Sequence, residues 1–421
     1  MKKYILFIIM IITFRILLDW IYEYEISTLF EYANYTNNST KESLISSWGY
    51  LLLFIPFVLW IVDDSSSIFS QLIATYILFL RVIPFTSTMR FLPEQLGFIS
   101  INFVYWILLF ILLKKIKVPS ISIRRRNNEG SILAIYIIAA ISVLTIVYIS
   151  GVYCHFRIHL SLDDVYELRL DAREFNIPLF LKYLQAGGSI VIPILMIFFI
   201  TQKKKSIVYL LAFVGLLNFS IAGHKTTLFN VILCLGLFYF PKLDIKKILP
   251  YAFVVLCLST VFEFIFFNTY FLSATIIRRG FFVPSMLDIS YYEYIIHHGP
   301  QYFTGGIGME IGRLSGEEGK RCNNGLFSDA FMNLGYIGCF VFPIIITYFI
   351  KIADALTKNL EDSIKIFSAF LIVSTLSGSY FTTSLLTHGL FLMYLVLFFI
   401  PPKSIKCKAK MNKKIINYPL V

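Results

Sequence analysis

"SILAIYIIAAISVLTIVYISG" occupies residues 131–151 and contains neither an ionised side chain nor a proline. Wound as an α-helix, a run of this length reaches about 30 Å, the thickness of a bilayer's hydrocarbon core. A helix on a soluble protein would carry a polar face, and this one has none. Further apolar runs follow almost without pause at 4–22, 46–62, 68–86, 97–113, 179–200, 206–222, 226–240, 248–269, 325–349, 364–378 and 385–401, about twelve in all. The runs at 46–62, 226–240 and 364–378 are short for a span. Composition agrees: of 421 residues 57% are hydrophobic and 15% charged, too little charge to coat a soluble chain of this size. No alternating barrel pattern is present, and backbone groups in lipid must then be satisfied within helices. The reading is an all-α polytopic membrane protein, a single membrane domain over residues 1–421, with no linker and no internal repeat.

Charge sets the expected orientation. With about twelve spans, 23 of the 37 Lys and Arg residues fall on the side of the N-terminus and 12 on the other, while Arg15 and Arg81 lie within spans. The clusters at 114–126, 203–205, 242–247 and 403–414 share the first side, which the positive-inside rule makes cytoplasmic. Both termini are expected in the cytoplasm, the first apolar run is expected to be retained, and 402–421 reads as a basic cytoplasmic tail. The net charge of +12 is a topogenic bias with no nucleic-acid surface behind it. The long connections 23–45, 152–178 and 270–324 all fall outside as external loops, where function concentrates.

One of these, "LSLDDVYELRLDAREF" (160–175), crowds five acidic and two basic side chains together. Taken as a helix, Val165, Leu168, Ala172 and Phe175 form an apolar stripe; Tyr166, Arg169 and Arg173 share a second face, and the acids a third. Two readings stand: a solvated interfacial helix, or one whose arginines face an anionic ligand. Beside it stand "SIAGHKTTLFN" (220–230) with His224 and Lys225, and "IIRRGFFVPSMLDISYYEYIIHHGPQYF" (276–303) with Arg278, Arg279 and interleaved aromatics. "NNGLFSDAFMNLGYIGCF" (323–340), with Asp329, is the third. Ionisable groups inside spans are Arg15, Asp19, Arg81 and Glu263; Arg15 and Asp19, spaced i, i+4, can neutralise one another. The six cysteines have no metal spacing and read as packing thiols, with a Cys154–Cys322 disulfide as the alternative. No nucleotide, zinc-protease or serine-hydrolase motif occurs.

In order along the chain, "DDVYELR", "AGHKTTLF", "IRRGFFVP…YYEYI", "NNGLFSDAFMNLGYIG" and "TSLLTHGL" (383–390) resemble the bacterial O-antigen and capsule repeat-unit polymerases of the Wzy type. The resemblance covers roughly residues 75–400. It implies a membrane glycosyltransferase of GT-C-like architecture in the inner membrane. Such an enzyme moves a polymer from undecaprenyl diphosphate onto a new lipid-linked repeat unit at the outer leaflet, with no metal or other cofactor. Implied partners are the lipid-linked oligosaccharide donor and acceptor, membrane lipid, a chain-length regulator and a flippase.

That chemistry needs cations where the diphosphate leaves. Arg278 and Arg279 are expected to meet it, with Arg169, Arg173, Lys225 and Arg81 in support and Tyr166 beside them. The incoming hydroxyl needs a base; Asp329 is the first choice, ahead of His388, His298 and Glu310. Tyr291, Tyr292, Tyr294 and Tyr302 could stack on sugars or sit at the interface, with Tyr292 retained as a binding residue. The rivals are a lipid-linked oligosaccharide flippase or other transporter, and an O-antigen ligase.

Overall fold

The computed structural model describes residues 2–119, 128–159, 165–239, 245–316, 319 and 321–402. The tail beyond Pro402 and the cluster 124–126 lie outside the described residues, as do Asp163, Asp164 and Lys320. Among the described residues there is no strand, and each of the twelve apolar runs is helical over most of its length. Among the described residues nine helices are long and apolar enough to cross a membrane: Tyr4–Leu29, Lys41–Val62, Ile68–Phe91, Leu96–Lys115, Gly130–Cys154, Leu179–Thr201, Lys205–Ala222, Leu249–Phe267 and Phe327–Thr357. The chain is an all-helical, multi-pass membrane protein. The other three runs form shorter helices, Lys225–Tyr239, Asp362–Gly378 and Leu390–Phe399. At 15 residues, Lys225–Tyr239 is about 22 Å long.

The segments expected as loops carry more helix than that word implies. The first helix runs on through a π-helical turn, Tyr22–Ile26, to Leu29. Within 270–324, a π-helical stretch Ser273–Phe282 continues directly into Val283–His298, and Gly308–Leu314 follows. The reason is burial: Ile277, Phe281, Phe282, Leu287, Ile289 and Tyr291 all turn into the protein.

The chain divides into two compact units. The first comprises Met1–Val118, Asp244–Ile352 and Ile372–Phe381. Its most enclosed helix is Ile68–Phe91, with 83% of its apolar window buried against 28% for Leu249–Phe267. A helix so surrounded can carry Arg81 without showing it to lipid. Phe14, Phe79, Phe253 and Phe281 meet with centroids 5.1–6.1 Å apart. Lipid is as apolar as these rings, so close contact and polar pairing, rather than escape from water, hold such helices together. The helix Lys41–Val62 begins with a capping box in which the Thr40 hydroxyl accepts from Ser43 N–H and Ser43 Oγ accepts from Thr40 N–H.

The second unit comprises Pro119–Leu243, Ala353–Leu371 and Thr382–Val421. Leu179–Thr201 runs through its middle and packs against Asn128–Cys154, Lys205–Ala222, Lys225–Tyr239 and Leu390–Phe399. Gly187 makes the last contact close: a Cβ there would stand 2.6 Å from Leu392 Cδ1, and the Gly389 backbone lies just beyond. The sequence-predicted helix within 160–175 is present as Val165–Glu174. Val165 and Leu168 are buried, and the helix packs on Lys205–Ala222, so the apolar stripe faces protein.

Candidate functional site

In the second unit, three chain segments bring basic side chains together. Gly223, with φ +62°, ends Lys205–Ala222, its N–H bonding Phe219 O at 2.7 Å. A Cβ at that position would stand 3.0 Å from Val165 O and 3.3 Å from Arg169 Cγ, so the glycine lets the helix Val165–Glu174 lie across the turn. Arg169, half-buried, donates from Nε to Gly223 O at 3.2 Å, a cation on a helix C-terminus. His224 comes next, its carbonyl receiving Thr227 N–H at 2.9 Å as the helix beginning at Lys225 opens. His388 lies between Phe381–Leu386 and Leu390–Phe399, its N–H bonded to Thr383 O at 3.0 Å.

Solvent reaches both histidine rings, yet protein crowds them enough to strip part of their hydration. That desolvation, followed by the charges of Arg169 and His388, pushes His224 down to about 4. Desolvation also lowers His388, against a smaller opposing effect from the Thr387 backbone. Two neutral imidazoles therefore stand beside Arg169 and Lys225 at neutral pH, able to accept protons where the cations attract an anion. Tyr166 and Arg173 belong to the same helix, but their side chains lie outside the described residues.

In the first unit the polar groups form a buried frame. Arg81 Nη2 donates to both oxygens of Asp288, at 2.9 and 2.8 Å, and Nη1 donates to Asn324 Oδ1 at 3.0 Å and Ser377 O at 3.2 Å. Asp288 Oδ1 also accepts from Asn324 Nδ2 at 3.0 Å and Ser328 Oγ at 2.6 Å. One helical position on, Asp329 accepts from Asn333 Nδ2 at 2.8 Å and from Phe381 N–H at 2.7 Å. Tyr291 donates to Cys322 O at 3.1 Å and its hydroxyl lies 2.6 Å from that of Tyr380. The helix Phe327–Thr357 breaks at Gly335 (φ 56°, ψ −137°).

The geometry gives the other expected site residues the following surroundings. Asp329, read as the base, has both carboxylate oxygens engaged inside the protein. Arg81 is satisfied by Asp288 rather than displayed among external cations. Arg278 and Arg279 stand in different surroundings: Arg279 is exposed, while Arg278 is 6% exposed with its guanidinium 4.2 Å from the Phe30 ring centroid. Tyr292 is buried against Phe98 and Phe331, with centroids at 4.8 and 5.0 Å. His298 is exposed and stacks on Tyr294 at 4.1 Å; Glu310 is exposed. Arg15 and Asp19 do pair, and Asp19 also takes Arg90 Nη1 at 3.0 Å. Glu263, without a partner in the sequence reading, accepts the backbone N–H groups of Phe271 and Leu272 at 2.6 and 2.9 Å. None of the five described cysteines is in a disulfide, so Cys154 and Cys322 are not bridged. Among the described residues no three His, Cys, Asp or Glu side chains converge as a metal site requires.

Two features escaped the sequence reading. Asp288, inside the span-like "PSMLDIS", carried no spacing signal toward Arg81. Glu94, half-buried in the connection after Phe91, is pushed up to about 7 by burial and then by Glu293, and its charge reaches Tyr292. Compared with family models, curated proteins and solved structures, the chain matches none.

Proposed function

We propose that this protein polymerises lipid-linked oligosaccharide repeat units, as its resemblance to Wzy-type polymerases implies. The observation that carries the reading is the grouping of the resembling segments. "DDVYELR", "AGHKTTLF" and "TSLLTHGL" supply Arg169, His224 and His388 to one cluster in the second unit, with Lys225 next to His224 in sequence. "IRRGFFVP…YYEYI" and "NNGLFSDAFMNLGYIG" are knitted together in the first unit through Asp288, Tyr291, Asn324 and Ser328. Segments scattered over more than two hundred residues (163–390) thus fall into two polar groups.

In this mechanism the acceptor's hydroxyl attacks the anomeric carbon of the donor's reducing-end sugar. The bond from that carbon to the diphosphate oxygen breaks, and undecaprenyl diphosphate leaves with the electron pair. Arg169 and Lys225 meet the charge that develops on the leaving oxygen. A neutral imidazole, His388 or His224, takes the hydroxyl proton and returns it to solvent. The proposal includes about twelve spans, GT-C-like architecture, both termini in the cytoplasm and residence in a bacterial inner membrane.

A flippase is the second reading, favoured by one feature: the helix interrupted at Gly335, of the kind transporters use at their substrate sites. A deletion strain separates the alternatives. Lipopolysaccharide bearing single repeat units, restored to a ladder by the wild-type gene, supports a polymerase; lipopolysaccharide with no repeat unit at all rejects it in favour of a flippase or ligase.

A further inference from the structure

The turn after the helix Val283–His298 displays two aromatic rings at the expense of an unusual backbone. Tyr302 and Phe303 are consecutive residues with φ of 48° and 65°, a region that side chains with a Cβ rarely occupy. Their rings remain 65% and 61% exposed, so burial does not offset the strain. Nor does helix capping: Gly299 already ends the helix, its N–H bonding Ile295 O at 2.8 Å. The contrast is the other left-handed pair, His155–Phe156, where Phe156 N–H closes a helix end on Ser150 O at 2.8 Å and the ring lies over Gly151.

What fixes the Tyr302–Phe303 turn is the buried frame behind it. Where Phe327–Thr357 breaks at Gly335, the chain 301–303 takes up the groups that the break releases. Gln301 N–H bonds Met332 O at 2.8 Å, Tyr302 N–H bonds Asn333 O at 3.1 Å, and Phe303 N–H bonds Asn333 Oδ1 at 3.1 Å. Asn333 is oriented by donating to Asp329, and Asp329 is anchored in turn by Phe381 N–H. At the far end Gly306 fits against Tyr380, where a Cβ would stand 2.7 Å from Cε2, and Tyr380 meets the Tyr291 hydroxyl. The Phe303 ring is further aligned by a near-parallel contact with Phe342, interplanar angle 11°.

We infer that Tyr302 and Phe303 are a stacking platform for a pyranose ring of the oligosaccharide, a subsite that rests on the polymerase reading above. Aromatic faces present a negative quadrupole to the C–H face of a sugar. His297, His298 and Thr304, all exposed, lie within five residues of the turn in sequence and carry polar atoms suited to hydroxyl groups. A bilayer anchor needs only apolar bulk, which any rotamer or backbone can offer; it does not call for a strained turn held by a chain of buried hydrogen bonds. In this arrangement Asp329, Asn333 and Tyr380 are positioning residues.

The test uses the full chain in phospholipid nanodiscs and saturation-transfer NMR. The probes are the methyl glycosides of glucose, galactose, N-acetylglucosamine and rhamnose. Wild type and the aromatic-retaining Tyr302→Phe/Phe303→Tyr variant should transfer saturation to ring protons of at least one glycoside. Tyr302→Leu/Phe303→Leu, apolar but without a π face, should weaken that transfer roughly tenfold. Both positions are exposed, so each variant should accumulate like wild type. Transfer in the leucine pair equal to wild type, as a bilayer anchor predicts, overturns the platform, and so does the absence of transfer from wild type to every glycoside. Polymerisation of purified lipid-linked repeat units, run in parallel, separates the two claims. Glycoside transfer without polymerisation by wild type leaves the platform standing and refutes the polymerase. Equal polymerisation by wild type and the leucine pair refutes the platform and leaves the polymerase.

Discussion

Replacing Asp288 by alanine should destabilise the first unit by an amount that the geometry fixes within limits. Asp288 is fully enclosed and accepts from Arg81, Asn324 and Ser328. Removing it strands the guanidinium of Arg81 in a site that solvent does not reach. Breaking one side of a buried ion pair costs about 3–5 kcal/mol. With an unfolding entropy near 2.1 cal/mol/K for each of 421 residues, that corresponds to a fall of roughly 3–6 °C in Tm. The assay is thermal unfolding in detergent, followed by a thiol-reactive dye that reports exposure of the buried Cys257 and Cys339. Arg81→Met/Asp288→Leu, which removes both charges, should recover much of the loss, because well-packed apolar pairs often replace buried ion pairs at little cost. An Asp288→Ala protein melting within about 1 °C of wild type would refute the reasoning, since no buried charge could then depend on it.

Arg169→Ala should shorten the polymer more than Arg169→Lys, with both proteins inserted at normal abundance; a full-length ladder from the alanine variant removes Arg169 from the reaction. For His224, the folded pKa of about 4 lies below the ordinary 6.5, so between these values the unfolded chain binds more protons. Stability should therefore fall as pH drops from about 6.5 toward 4 and level off above 6.5, and His224→Gln should flatten the difference between Tm at pH 7.5 and 5.0. Gly325→Ala should lose most of its inserted protein on an immunoblot, because the new methyl would overlap the carbonyls of Leu376 and Ser379; Gly280→Ala, in open space, should not. Reporter fusions after Lys205 should score cytoplasmic and fusions after Thr304 external, and the reverse result would overturn the proposed orientation.

Periodicity carried most of the fold. The charge-free run 131–151 and its relatives could be read as helices because a bilayer leaves the backbone no other choice. The helix Val165–Glu174 was legible from its apolar stripe; that the stripe faces protein and not lipid shows only in the burial of Val165 and Leu168. Local spacing also revealed Arg15 with Asp19, which are one turn apart. Pairings across the chain left no such trace. Arg81 and Asp288 are separated by 207 residues, and nothing in either neighbourhood names the other. Asp329 looked like a free acid at the head of a span; Asn333 stands one turn on in the same helix, but the N–H of Phe381 becomes a partner only once a distant segment reaches it. Arg278 and Arg279 are neighbours on one helical stretch, so they point to different sides; which of the two turns inward depends on Phe30, nearly 250 residues earlier, and that could not be read.

That register has a consequence for how the chain tolerates insertions and deletions. Among the described residues of the first unit there are three π-helical stretches, Tyr22–Ile26, Leu78–Val82 and Ser273–Phe282, each wider than the α-helix it interrupts. A π turn accommodates a residue that an α-helix would not, so removing one residue from Ser273–Phe282 would favour reversion to ordinary winding. Positions downstream would then keep their facing, because the turn gives up the residue it had taken in. The same deletion just beyond, in the ordinary winding between Val283 and Asp288, would rotate everything after it by about 100° about the helix axis. Asp288 would stay turned to Arg81 in the first case and swing away from it in the second. Two single-codon deletions a few positions apart, alike in hydropathy and span length, would thus differ in whether the ion pair survives.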